Sequence, residues 1–135
     1  MRAIPLTAVL VFAPLLALGQ SGHSDQEVMQ GTWKWTSGDA VAVFGTPGPT
    51  LSFVDTRMEV VSTSGETDKR GRFELFPGAN PPEVVFTLLD VAKNRKWQRK
   101  AAYEVAAKSL KLCFHAEPMT APTCRTAVVV LEFRR

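Results

Sequence analysis

Apolar and polar residues alternate in two consecutive runs that meet at residues 107–108. Alternation with a period of two puts the apolar side chains of a strand on one face. With a two-residue loop at 107–108, Val105 faces Leu110 and Tyr103 faces Leu112, so one face of the pair carries all the apolar side chains. The pattern therefore predicts a half-buried β-hairpin.

Several other segments have the composition of short strands and are separated by turn residues. Residues 24–27 fit a capping box that begins a short helix, and no pattern for a helix of ordinary length follows Gln30. Short strands joined by glycine- and proline-rich loops are typical of an antiparallel barrel or a β-sandwich. The additional predicted strands are residues 31–36, 40–44, 51–54, 57–62, 71–75, 83–88 and 126–133.

The first nineteen residues have the pattern of a secretory signal peptide. Arg2 precedes an apolar run over residues 4–18, and Ala17-Leu18-Gly19 provides small residues at the cleavage site. An uncleaved anchor is the alternative, although the run is short for a membrane span. We therefore predict export to the periplasm, the cell envelope or the medium. The predicted organisation is a signal peptide over 1–19, a lead with a short helix over 20–30 and a β-barrel domain over 31–135.

Export changes the meaning of the two cysteines in the chain. In an oxidising compartment Cys113 and Cys124 are expected to form a disulfide. If they face each other on antiparallel strands, both lie on the outer face and Lys111 faces Thr126. Closing a loop of this length contributes about 3 kcal/mol to stability. His115 is the nearest histidine, and no third ligand stands at a metal-site spacing, so neither a metal nor a cofactor is predicted.

The formal net charge is +3, and it falls by one when Arg2 is removed. Basic residues are concentrated in two segments, 69–72 and 93–100. The second segment predicts a patch for an anionic surface, with its tryptophan as a stacking platform and no specific nucleic acid as partner. The alternative is a set of solvated charges that protects a strand edge. The predicted patch consists of Lys93, Arg95, Lys96, Trp97, Arg99 and Lys100.

No motif indicates an enzyme. The chain has no nucleophile motif and no phosphate-binding loop, and Glu74 and Glu104 are expected to face solvent. We therefore predict no catalytic residue.

A combination of short motifs over about residues 27–135 resembles a family of exported lipocalin-like domains common in planctomycete bacteria. The chain departs from that family in three places: Ala107-Lys108 replaces Gly-Asp, Ala121 replaces Arg, and Cys124 is an addition. The matching motifs are Gly31-Thr32-Trp33, Asn80-Pro81, Tyr103-Glu104-Val105, Leu110-Lys111-Leu112-Cys113, Pro122-Thr123 and Leu131-Glu132-Phe133-Arg134.

The resemblance implies an all-β, antiparallel up-and-down lipocalin-like barrel of about eight strands. It also implies that Arg134 packs on Trp33 to close one end, a cation–π contact of about 0.5–2 kcal/mol. The alternative is that Arg134 is a frayed terminal charge. A barrel of this size either holds one small apolar ligand or fills its interior and acts as an interaction module for a protein or a polyanion. The residues predicted to line the interior are Trp35, Phe53, Phe73, Phe86, Tyr103, Leu112 and Phe114.

Overall fold

The computed structural model describes residues 24–120 and 123–135, so the predicted signal peptide lies outside the described residues. Eight antiparallel strands and two short helices make up the fold. In chain order the elements are α1 (Asp25–Met29), β1 (Gly31–Ser37), α2 (Ala40–Phe44), β2 (Thr50–Val54), β3 (Arg57–Val61), β4 (Thr67–Phe76), β5 (Glu83–Asp90), β6 (Arg95–Val105), β7 (Ser109–Phe114) and β8 (Val129–Arg134).

The strands form a closed barrel in which each pairs with the next along the chain. Strand β8 pairs with both β7 and β1, which closes the wall. Closure leaves no strand edge with unpaired backbone groups. The predicted up-and-down barrel of eight strands is therefore confirmed.

The hairpin of β6 and β7 has the predicted register. Tyr103 stands opposite Leu112 and Val105 opposite Leu110. The turn closes through a hydrogen bond of 2.9 Å from the Ala106 amide to the Ser109 carbonyl. Every second side chain of both strands therefore points into the barrel, as the alternation requires.

The predicted strand at residues 40–44 is wrong, because these residues form helix α2. The Asp39 carboxylate caps its first turn by accepting from the Ala42 amide at 3.2 Å, and Gly45 ends it in the left-handed conformation. The buried side chains of Ala40, Val43 and Phe44 follow helical spacing. The caps and the buried face together favour a helix over a strand in this run.

The start of the last strand was also predicted wrongly. Strand β8 begins at Val129, and its register places Val130 opposite Cys113 and Glu132 opposite Lys111. Cys124 lies in the preceding loop, yet the predicted disulfide is confirmed, with 5.1 Å between the two Cα atoms. The bond tethers the loop over the outer wall, where Cys113 is buried.

One end of the barrel, the α1 end, is closed by Trp33 and the C-terminal residue. The buried Trp33 indole donates to the Met29 carbonyl at 2.8 Å. The Arg135 guanidinium stands 4.0 Å from the indole ring centroid. It donates at 2.7 Å to the carbonyls of Ala107 and Gln30, and also to that of Val28. We call this set of contacts the Arg135 latch.

The latch corrects the predicted pair, since Arg135 and not Arg134 packs on Trp33. Leu131 and Phe133 are buried, and Arg135 shares their alternation, so its side chain lies on the inner side of the strand end. Arg134 is exposed and stands opposite Lys34 on the outer wall. The resemblance assigned the role to Arg134, and the parity of the strand gives it to the next residue.

Gly31 makes room for the latch. Its φ angle is +110°, a conformation that favours glycine, and a Cβ atom there would lie 2.8 Å from an Arg135 nitrogen. The glycine of the Gly-Thr-Trp motif is therefore explained by the guanidinium that packs beside it.

Arg135→Ala is expected to lower the free energy of unfolding by about 1–2 kcal/mol, because it removes a cation–π contact and charge-assisted hydrogen bonds. The control, Arg134→Ala, removes the same charge from the outer wall and should change stability by less than about 0.5 kcal/mol. Urea unfolding of both variants measures the difference. Equal effects would contradict the latch.

Candidate functional site

The opposite end of the barrel, the α2 end, contains an aromatic cluster centred on Phe44. The Phe44 ring centroid lies 5.4 Å from that of Trp97, 6.0 Å from that of Phe114 and 6.3 Å from that of Phe86. Separations of this size are those of favourable aromatic pairs. Helix α2 thus inserts its last side chain among rings supplied by β5, β6 and β7.

Lys69 reaches the same cluster from β4 and is almost fully buried. Its ammonium donates to the Phe44 carbonyl at 2.6 Å and to the Asp68 carboxylate at 2.9 Å. The Asp90 carboxylate stands 3.6 Å away, and the Trp97 ring centroid 5.8 Å away. The ammonium is therefore compensated by two acids and anchors the end of α2.

The Asp90 carboxylate belongs to the same group of charges. A hydrogen bond from the Lys93 amide holds its pKa below the usual range, and the positive charge of Lys69 acts in the same direction. Asp90 therefore stays ionised beside Lys69 at neutral pH.

Arg99 is a second inward-pointing cation at this end. Its Nη2 donates to the His115 carbonyl at 2.8 Å, and its Cζ stands 5.4 Å from the Phe114 ring centroid. The buried Nε has no hydrogen-bond partner, and no carboxylate pairs with Arg99 within the described part of the chain. Burial lowers the pKa of the guanidinium. Unlike Lys69, Arg99 carries an uncompensated charge.

The predicted interior residues divide among three places. Phe86 and Phe114 join the aromatic cluster, Phe53 and Phe73 pack with ring centroids 4.9 Å apart, and Tyr103 lies at the α1 end. Leu112 is also buried in the core.

Trp35 is not an interior residue, because 37% of it is exposed. The register of β8 and β1 shifts between Glu132 and Phe133, opposite Trp35. The indole lies at the rim, where it donates to the Gly38 carbonyl at 3.0 Å. Trp35 shares the parity of Trp33 and stands opposite the buried Phe133, so its exposure comes from its place at the rim and not from a reversed direction.

The predicted basic patch is divided between the two sides of the wall. Lys93, Arg95 and Lys96 are exposed. Trp97 and Arg99 point inward, and Lys100 pairs with Glu83 at 3.6 Å. Because its ring packs in the aromatic cluster, Trp97 does not form the exposed stacking platform that the sequence predicted.

Sequence reasoning missed Lys69 and the inward direction of Arg99. Lys69 is four residues from the inward Phe73, and Arg99 is four residues from the inward Tyr103, so strand alternation places all four on the inside. Their charge had favoured an outward assignment.

The described ranges contain neither a metal-binding cluster nor a helix that could span a membrane. Residues 24–120 and 123–135 contain no group of three or more His, Cys, Asp or Glu side chains that could hold a metal ion. None of the helices in these ranges is long and apolar enough to cross a membrane.

Comparison of the chain with protein-family models, curated proteins and solved structures gave no significant match.

Tyr103 is the only tyrosine of the chain, and it gives the α1 end a spectroscopic probe. Its hydroxyl donates to the Asp25 carboxylate at 2.6 Å, and burial together with this bond raises the pKa of the phenol. We expect the folded protein to show no tyrosinate absorbance at about pH 11, whereas the unfolded chain titrates near pH 10.

The raised pKa of Tyr103 makes the free energy of unfolding depend on pH. A raised phenol pKa stabilises the fold fully below pH of about 10, and this contribution is lost as the pH rises from the unfolded toward the folded pKa. Asp25→Asn keeps a hydrogen-bond acceptor but removes the charge, so the phenol should titrate at lower pH than in the parent protein. Titration near pH 10 in the folded parent protein would contradict the buried hydrogen bond.

Proposed function

We propose that this protein binds one small amphipathic molecule, with an acidic group and an apolar body, at the α2 end of the barrel. The observation that supports it most is the Arg99 guanidinium, which faces the aromatic cluster with a buried Nε and no acidic partner among the described residues. The protein would then be a binding module, similar in fold to the lipocalin-like domains that its motifs resemble and, like them, predicted to be exported.

The head-group contact follows from the cost of burying charge. A partly buried guanidinium without a counter-ion is unfavourable, and an acid placed beside it removes that cost. Arg99 already uses Nη2 for the His115 carbonyl, which leaves the Nε–H available. A carboxylate suits this edge, because guanidinium binds this planar oxyanion with charge-assisted hydrogen bonds.

The apolar body would take the place of the Phe44 ring. That ring contacts Phe86, Trp97 and Phe114, so its withdrawal would uncover an aromatic surface beside Arg99. Helix α2 has only five residues and lies between Gly38 and Gly45, whose φ angles are +100° and +79°. Such glycines adopt conformations closed to other residues and can serve as hinge points.

The ligand must compete with Phe44, and this sets the expected affinity. Opening also breaks the hydrogen bond from Lys69 to the Phe44 carbonyl. If only a small fraction of the protein is open, the apparent binding constant is the intrinsic constant multiplied by that fraction. The proposal therefore predicts modest affinity for a simple probe.

A second candidate function is supported by the packing of the interior. Phe53, Phe73 and Phe86 are buried, and Phe44 occupies the α2 end. A barrel filled in this way could act without a ligand, as an interaction module through its outer wall.

Calorimetric titration with decanoate and with decanol distinguishes the two candidates. Decanoate should bind about tenfold more tightly than decanol, since only the acid pairs with Arg99. Arg99→Gln should abolish that preference and leave decanol binding unchanged. Native mass spectrometry of protein purified from its native source should then show a bound acid.

The control is Lys96→Gln, which removes one positive charge from the outer face of the same strand. It should leave the preference for decanoate intact. The proposed site would be refuted if neither decanoate nor decanol bound. It would also be refuted if Arg99→Gln and Lys96→Gln weakened decanoate binding equally. Thermal unfolding of both variants checks that the barrel remains folded.

A further inference from the structure

Four cations share one region of the outer wall, which we call the β3–β6 cationic face. They are Arg57 on β3, Arg70 and Arg72 on β4, and Lys96 on β6, and all four are exposed. The face lies outside the barrel, whereas Arg99 points inward, so its role is independent of the ligand site proposed above.

The strand register brings these residues together from distant parts of the sequence. Arg57 stands directly opposite Arg72, and Arg70 stands in the same cross-strand row as Leu89 and Lys96. Adjacent strands are about 4.8 Å apart, and like charges directly opposite each other are destabilising. The fold therefore maintains a local charge repulsion on this wall.

None of the four cations is held in an ion pair in the described part of the chain. Among residues 24–120 and 123–135, none of them forms a salt bridge or a side-chain hydrogen bond to a carboxylate. Glu59 stands opposite Arg70, but its carboxylate accepts a hydrogen bond from Thr67 at 3.4 Å. Elsewhere on the outer wall Lys111 pairs with Glu104 at 3.7 Å and Lys100 with Glu83 at 3.6 Å. The four cations of this face lack the partner that those two lysines have.

Open grooves run between these side chains. One is bordered by Arg72, Glu74, Val85 and Thr87, and the other by Arg57, Glu59, Arg70 and Leu89, so each groove has one acid beside its cations. Guanidinium groups beside such grooves can hold successive sulfate or carboxylate groups of an extended chain with paired hydrogen bonds.

We infer that the β3–β6 cationic face binds an acidic polysaccharide. A membrane surface is less suitable, because the exposed large apolar residues nearest to this wall, Val54, Phe76 and Val91, lie at the barrel ends and not on the face. Single-stranded nucleic acid is also less suitable, because recognition of its bases uses exposed aromatic rings and Trp97 packs inside. The predicted export places the protein where acidic polysaccharides occur.

Heparin, a sulfated polysaccharide, is the probe, with neutral dextran as the uncharged comparison. We expect heparin to bind and its affinity to fall as salt is added, because screening weakens exposed charge contacts. The Arg70→Gln/Arg72→Gln double variant should bind heparin about tenfold more weakly. Dextran should not bind.

The matched control is Lys34→Gln/Arg134→Gln, which removes two exposed cations from β1 and β8 on another part of the wall. It should weaken heparin binding less than about twofold. Equal losses in the two double variants would show that only net charge matters and would overturn the inference. Tighter binding to phosphatidylglycerol vesicles or to an oligothymidine strand than to heparin would also overturn it.

Discussion

The Arg135 guanidinium fixes the α1 end of the barrel, and the rest of the structure is arranged around that constraint. It contacts the Trp33 ring, and it donates to the Gln30 carbonyl, which follows α1, and to the Ala107 carbonyl in the β6–β7 turn. The first and last described segments are thereby held at one end of a wall that has no strand edge. The opening that we propose for ligand entry is therefore placed at the other end.

The two ends differ in how they are closed. At the α1 end, an indole, a guanidinium and backbone carbonyls satisfy one another, and Tyr103 adds a hydrogen bond to Asp25. At the α2 end, a five-residue helix inserts Phe44 and is held by Lys69. The first closure involves both chain termini of the barrel domain, whereas the second depends on one short helix between glycines.

Cations on the inner and outer sides of the wall also differ in their acidic partners. Inside, Lys69 is neutralised by Asp68 and Asp90, and Arg99 is not. Outside, the β3–β6 cationic face lacks acidic partners among the described residues. Strand alternation therefore divides the two basic segments, placing Lys69 and Arg99 inside and Arg70, Arg72 and Lys96 outside.

Much of the wall could be predicted because alternation is a local signal. The register of β6 and β7 followed from the positions of Tyr103, Val105, Leu110 and Leu112 alone. The disulfide followed from the cysteine count and the predicted compartment, although its place beside β8 did not.

The missed features depend on contacts that alternation does not contain. Ala40–Phe44 reads equally as a strand or a helix, and its end residues Asp39 and Gly45 decide between them. Trp35 has the inward parity of Trp33 but lies at the rim, where 37% of it is exposed. The inward direction of Lys69 and Arg99 agrees with the parity of their strands, although charged side chains usually face solvent.

Amide and indole hydrogen exchange of the intact protein tests most directly the claim that the α1 end is fixed and the α2 end opens. The Trp33 indole N–H, bonded to Met29 at 2.8 Å, should exchange only through global unfolding. The Gly45 amide, bonded to Val41 at 3.0 Å in α2, should exchange at least about tenfold faster, through local opening. Equal exchange rates at both positions would contradict the account, because the barrel would then open only as a whole.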